Sequence, residues 1–390
     1  MVLPLCGGKV ASGDLTPLWS EPALSGIRLR TVERITVDER LSHAATIPSA
    51  CYTDPSSLAA ERDAIFARTW QLVGREEQVA VPGSYFTAEV AGEPLLVVRG
   101  TDGRVRALSN VCRHRAGPVA RGEGTCGAFR CGYHGWSYAL DGRLMNTPEF
   151  DGVADFDRES VALPGFRVET WLGLVFVNLD ASAPPLSEAL EDLPATLAGR
   201  GLEEMRLAAR KDWTVECNWK VYVDNYLEGY HIPIVHPGLM RELDYARYET
   251  ETRGAYSLQR APIKERADAR IRRDPRYDDG DALYYWIYPN LMLNVYPDNY
   301  STNLIVPLGL DRTLTVFEWF LRDPEQPGVA ETIRQTIEFS DEIQREDIAI
   351  CEAVQKGLRS RTYETGRFSV RRESGVHHFH RLYAGAVGGP

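Results

Sequence analysis

Four residues, Cys112, His114, Cys131 and His134, constrain this chain more than any other feature. They form a C-x-H pair and a C-x2-H pair with sixteen residues between them. Each pair falls among short runs of alternating apolar and polar residues, so each belongs at the tip of a β-hairpin. Thiolates and imidazoles are metal ligands, and a metal centre shared by two tips pins those tips side by side. A single zinc ion could take all four as Cys2His2. The C-x-H spacing is tighter than zinc ligands usually show, however, and no helix follows to complete a knuckle. Two irons, one held by the cysteines and the other by the histidines, fit the pattern better.

The surrounding sequence reads as a scaffold for those loops. YFTAEVAGEPLLVVRGTDGRVRALSNVC alternates in β fashion, with Gly-Glu-Pro and Thr-Asp-Gly as turn signals, and LDGRL repeats the signal at 140–144. SSLAAERDAIFARTWQLV (56–73) predicts a leading helix capped by Asp54 or Ser56. Residues 1–45 mix Gly, Pro and charge and read as an irregular arm, leaving 46–180 as a first domain. The Pro pair in APPLSEALEDL (183–193) marks a boundary, with a second domain over 181–390. Within it, WIYPNLMLNVYPDNYSTNLIVPL and RTLTVFEWFL alternate as sheet strands. A helix from about Pro327 to Lys356 follows, with Gly357 placed to end it.

Composition narrows the class of partner. A net charge of −11 argues against nucleic acid, which wants a basic patch. Seven cysteines without a small secreted framework point to a reducing, cytoplasmic setting. The opening MVLPLCGGKV lacks the basic and apolar regions of a signal peptide. The longest apolar run, LGLVFVNL at 172–179, is too short to span a bilayer, so no membrane association is expected. Cys126 has the wrong spacing to ligate and reads as a packed thiol, as do Cys6, Cys51, Cys217 and Cys351.

A second constellation lies at 224–236, DNYLEGYHIPIVH. From Asn218, a good N-cap, the periodicity predicts one helix through His231, ended by Pro233. Trp219, Tyr222, Val223, Tyr226 and Tyr230 then share one face, with Asp224, Glu228 and His231 on the opposite one. His236, on the turn beyond, can fold back beside His231. Two imidazoles next to an acidic face can hold a metal; a polar helix face with two satisfied histidines is the plainer alternative.

CRH at 112–114, FRCGYHGWSY at 129–138 and LDGRL at 140–144 together resemble the Rieske [2Fe–2S] motif, with Gly132 where many relatives carry Pro. A Rieske domain followed by D-x3-E-x2-H-x4-H resembles the α subunit of Rieske non-haem iron oxygenases, over nearly all the chain from residue 45. The resemblance implies an α+β architecture: a small antiparallel β Rieske domain, then a helix-grip-like catalytic domain with an antiparallel sheet and covering helices. It implies a cluster on Cys112, His114, Cys131 and His134, and a mononuclear Fe(II) on His231, His236 and a carboxylate from the C-terminal helix. In QREDIAICEAVQKGL that carboxylate is expected to be Asp347, with Glu346 and Asp341 as alternatives. Two His and one carboxylate leave positions open for O2.

Glu228 matches the family position that links an iron-ligating His to a Rieske His of the neighbouring subunit, which implies a homotrimer with His134 or His114 facing it. Most ring-hydroxylating relatives carry Asp here; Glu resembles the carnitine-oxidising branch. Asp224 is expected to steady His231 or His236. Electrons are expected from a separate NAD(P)H-dependent flavin and iron–sulfur reductase, since nothing here resembles a nicotinamide or flavin site.

NYLEGYHIPIVHPGL and YPNLMLNVYPD resemble the choline, carnitine and glycine-betaine oxygenases, which implies a small quaternary or tertiary amine as substrate. N-demethylation, through a hydroxylated methyl group that releases formaldehyde, or C–H hydroxylation would follow. Tyr284, Tyr285, Trp286, Tyr288, Tyr296, Tyr300 and Trp319 are candidates to face such a cation, with Trp286, Asn294, Tyr296 and Trp319 chosen as pocket residues. An aromatic-ring hydroxylating oxygenase is the alternative, and a plain Rieske electron carrier a third reading. The dense tail cluster of His377, His378 and His380 reads as packing.

Overall fold

The computed structural model describes residues 35–265, 270–271 and 280–388. The irregular arm expected over 1–45 therefore lies outside the described residues, apart from 35–45. The described chain divides into two compact units, 66–186 and 35–65 with 187–388, so the leading helix groups with the second.

The first unit holds ten short strands: β1 (Gln71–Arg75), β2 (Ser84–Val90), β3 (Glu93–Arg99), β4 (Val105–Ser109), β5 (Glu123–Thr125), β6 (Phe129–Arg130), β7 (Ser137–Tyr138), β8 (Leu144–Asn146), β9 (Gly165–Trp171) and β10 (Leu174–Asn178). Seven form an antiparallel sheet in the order β1-β10-β9-β4-β3-β2-β5, and β6-β7-β8 form a second, smaller one. The run Leu95–Val98 is apolar throughout because both faces of β3 are buried. Leu95 and Val97 pack with Phe86 and Val175 on one side. Leu96 and Val98 pack with Tyr85, Phe129, Trp136 and Tyr138 on the other, beneath the two Cys/His loops.

The second unit is built on a seven-stranded antiparallel sheet: β11 (Arg206–Val215), β12 (Glu249–Arg253), β13 (Tyr256–Pro262), β14 (Asp281–Ile287), β15 (Leu291–Val295), β16 (Asn299–Gly309) and β17 (Arg312–Leu321). Its order, β11-β17-β16-β15-β14-β13-β12, is a meander with β11 returned to the edge. Register sets Gln259, Tyr284, Asn294, Ser301 and Trp319 in one cross-strand row. The helix Val329–Leu358 packs on β11 and on the helix Trp219–Tyr226. It runs through Gly357, which the sequence placed just past its end.

The segment after Asn218 departs from the single helix expected. Asn218 does cap it, accepting from the Lys220 backbone N–H at 3.1 Å. The helix stops at Tyr226, and a second one, Ile232–Val235, begins after a turn. Pro233 sits inside the first turn of that second helix, where a missing N–H costs nothing. The break lies at Leu227 to His231 instead, where the Glu228 carboxylate accepts from the backbone N–H groups of Tyr230 and His231.

The leading helix is shorter than expected, Pro55–Glu61, with Asp54 as its cap. At its end Glu61, fully buried, accepts from Lys220 Nζ at 2.5 Å, Trp219 Nε1 at 2.7 Å and the Tyr383 hydroxyl at 2.9 Å. Lys220 Nζ also lies 5.3 Å from the rings of Tyr52, Trp219 and Tyr383. One buried ion pair thus ties the 219–226 helix to both ends of the described chain.

No helix among the described residues is long and apolar enough to cross a membrane.

Candidate active site

The two Cys/His loops of the first unit share one backbone pattern. Cys112 N–H donates to Gly117 O while Ala116 N–H donates back to Cys112 O. Cys131 N–H donates to Trp136 O while Gly135 N–H donates back to Cys131 O. The fourth residue after each cysteine has positive φ, +55° at Ala116 and +76° at Gly135. This left-handed residue closes each loop, which the reciprocal hydrogen bonds then hold.

The His114 and His134 rings lie 4.7 Å apart, and His114 stacks on Trp136 at 4.9 Å. Both thiols are buried, and Tyr138 Oη lies 3.2 Å from Cys112 Sγ. His114 Nδ1 is buried with no hydrogen-bond partner, as an imidazole nitrogen reserved for a metal would be. The four donors do not close on a single ion. Among the described residues the one His/Cys/Asp/Glu group whose donors all lie within 4.8 Å is elsewhere. A tetrahedral zinc on the loops is thereby disfavoured, and a larger cluster such as [2Fe–2S] suits the spread.

That converging group is His231, His236 and Asp347, in the second unit. Its geometry is set at the back of each ring. Glu228 Oε1 lies 2.7 Å from His231 Nδ1, and Glu346 Oε2 lies 2.7 Å from His236 Nδ1. Each carboxylate accepts a proton held on Nδ1 and so leaves the Nε2 lone pair to ligate a metal. Both Nε2 atoms turn to Asp347 Oδ1, at 3.7 Å from His231 and 3.0 Å from His236. Asn225 Nδ2 donates to the same oxygen at 2.6 Å. Burial lowers the His236 pKa, but the Asp347 and Glu346 carboxylates more than offset that and hold it above the ordinary value. This donor set fits an Fe(II) with open positions.

Of the alternative acids, Asp341 is buried and paired with Lys211 at 2.6 Å, away from the imidazoles. Glu346 is present at the site as the partner of His236, a role the sequence did not disclose. Asp224, expected beside an iron-facing imidazole, makes its hydrogen bonds elsewhere. It accepts from the Tyr52 hydroxyl at 2.6 Å and pairs with His380 Nε2 at 3.0 Å. The turn at Leu227 swings Glu228, not Asp224, towards His231. His377 and His378 are likewise packed, His377 against the Asp38 carbonyl and His378 near Trp286.

Beside the triad lies a cavity of about 150 Å³, lined by the sheet row Gln259, Tyr284, Asn294, Ser301 and Trp319, and by Tyr226, Tyr248, Tyr296 and Phe339. Asn294, Tyr296 and Trp319, chosen from the sequence as pocket residues, line this cavity. Trp286 does not: it shares the sheet face with Tyr284, but there the helix Ser374–Val387 covers the sheet, and Trp286 packs on Phe379 at 5.4 Å. Tyr285, Tyr288 and Tyr300 also fall outside the lining.

Comparison with known proteins agrees with both centres. The Rieske [2Fe–2S] domain family matches residues 69–157, and the catalytic domain of the ring hydroxylating alpha subunit matches 202–389. A chloroplastic choline monooxygenase of Arabidopsis thaliana is 35% identical over 88% of this chain and 83% of its own length. The oxygenase subunit of carnitine monooxygenase from Escherichia coli K12 is 34% identical, covering 87% of this chain and 93% of that one. A quaternary ammonium Rieske monooxygenase solved with L-carnitine superposes with a TM-score of 0.78, at 29% identity, over 89% of this chain and 97% of that one. By fold, by metal-binding geometry and by kinship, this chain belongs to the Rieske-type non-haem iron oxygenases, enzymes that spend externally supplied electrons on O2.

Proposed function

We propose that the chain is the terminal oxygenase for a small quaternary ammonium compound. Convergence of His231, His236 and Asp347, each imidazole aimed by its own carboxylate, is the observation that carries the oxygenase part. In this reading Cys112, His114, Cys131 and His134 hold the [2Fe–2S] cluster, and the converging triad holds Fe(II). When bound, the cluster supplies single electrons and the iron supplies O2 activation at its open positions.

The chain's residues do the positioning. Glu228 and Glu346 fix the tautomers of His231 and His236, and Asn225 restrains Asp347. Aromatic faces and neutral phenols line the substrate side. Burial raises the phenol pKa values of Tyr226, Tyr248, Tyr284 and Tyr296, so these remain uncharged hydroxyls. A quaternary ammonium group without N–H donors is attracted to such ring faces. Relatives named for choline and carnitine support that substrate class.

The family position of Glu228 supports a homotrimer in which it also meets a Rieske histidine, His134 or His114, of a neighbouring protomer. A cytoplasmic NAD(P)H-dependent flavin and iron–sulfur reductase completes the proposed system. The test is O2 uptake with product analysis on the metal-loaded protein and a surrogate reductase. Turnover of choline, carnitine or a betaine, with simple aromatics inert, is expected. Turnover of aromatics alone would overturn the substrate class.

A further inference from the structure

The cavity wall carries hydrogen-bonding capacity that the protein itself leaves unused. Asn299, Ser301 and Asn303 alternate along β16, all line the cavity, and all are more than nine-tenths buried. Asn294 sits between the last two. Its Nδ2 donates to Ser301 Oγ at 3.1 Å and to Asn303 Oδ1 at 3.2 Å, while its Oδ1 accepts from the Tyr226 hydroxyl at 2.9 Å. Asn303's carbonyl oxygen is thereby used, yet its amide nitrogen donates to nothing among the described residues. The Ser301 hydroxyl, accepting from Asn294, likewise has no acceptor for its own proton. Further along, Asn299 donates to Asp298 at 2.6 Å, but its Oδ1 is buried without a partner.

A quaternary ammonium head cannot satisfy these groups, because it has no N–H and no lone pair. The matching atom must be an oxygen elsewhere on the ligand. The choice of oxygen follows from charge. Asn303 and Ser301 are neutral, and Arg270, the guanidinium among the described lining residues, is engaged: it donates to Glu342 at 2.8 Å and lies 4.1 Å from the Phe339 ring. A carboxylate brought here leaves water for neutral donors and an occupied cation, at a heavy desolvation cost. A hydroxyl has no charge to desolvate, and its oxygen accepts from both free donors.

We infer that Asn303 and Ser301 form an oxygen-recognition subsite that selects a quaternary ammonium alcohol over a quaternary ammonium carboxylate. The inference rests on the quaternary ammonium reading above and specifies the far end of the same ligand.

Calorimetric binding to the metal-loaded full-length protein without O2 tests it. The probes are choline, ethyltrimethylammonium (choline lacking its hydroxyl) and glycine betaine. Choline is expected to bind about tenfold more tightly than ethyltrimethylammonium, and more tightly than betaine. Asn303→Ala and Ser301→Ala should each reduce that advantage to about threefold or less, with choline affinity falling more than ethyltrimethylammonium affinity. Iron retained at the His231, His236 and Asp347 triad, measured by metal analysis, reports that the second unit of each variant is folded. Equal binding of choline and its deoxy analogue, tightest binding of betaine, or an advantage that survives both substitutions would overturn the subsite alone. Failure of all three probes to bind would instead defeat the quaternary ammonium reading, and the subsite with it.

Discussion

Each iron-facing imidazole is held from behind. Without Glu228 and Glu346, His231 and His236 could swap tautomers or rotate, and Nε2 would no longer point at Asp347. Glu346→Gln keeps the shape but weakens that hold on His236. Its affinity for Fe(II), measured by anaerobic titration, should fall by about 10- to 100-fold while the cluster's absorption stays unchanged. The raised His236 pKa gives iron binding a definite sign against pH. A proton on Nε2 competes with the metal, and it persists to higher pH than on an ordinary histidine near 6.5. Fe(II) affinity should therefore rise as pH climbs through and above that value; affinity flat across the range would contradict it. At this scale the sequence was most legible where spacing carries the chemistry, as in the two His/Cys pairs and His231–His236. It was least legible for Glu346 and Asp224. Neighbouring acids on a helix look alike until packing decides which faces an imidazole, and one misplaced helix end sent Asp224 to Tyr52 and His380 instead.

Among the elements, the segment from Trp219 to Val235 shows why a periodic pattern misleads near a site. Helical spacing continues through His231, but the helix yields at Leu227 so that the Glu228 carboxylate can cap the next turn. The proline expected to end one helix begins another. The β architecture was easier to read, because turn signals and alternation in the 84–112 region are local. The pocket row was half legible. Period-two alternation placed Asn294 and Tyr296 on one face, but only strand order shows that the last helix covers Trp286. The 219–226 helix also depends on Glu61, whose carboxylate offsets the Lys220 charge in a fully buried setting. Glu61→Ala strands that ammonium and should destabilise the protein by about 3–5 kcal/mol in denaturant titration. A change within experimental error would mean that the pair contributes little.

For the molecule as a whole, the proposal joins a one-electron store on the first unit to an O2-activating centre on the second. Glu228 is the residue at which that connection is open to test, because its carboxylate already holds His231. Glu228→Gln preserves a hydrogen-bond acceptor for His231; its Fe(II) affinity should fall as in Glu346→Gln, so the variant is loaded with excess Fe(II) to carry both metals. Reoxidation of a pre-reduced cluster by O2 in the presence of substrate, followed by stopped flow, should nevertheless slow by about tenfold or more. Unchanged rates would remove Glu228 from the electron route. The two-centre account itself is tested most directly by metal and sulfide analysis of the purified full-length protein beside its Asp347→Ala variant. The account predicts red-brown protein with cluster iron and sulfide plus one further iron per chain, and a variant that loses only the further iron. Colourless protein carrying zinc, or a variant that keeps its full iron content, would contradict it.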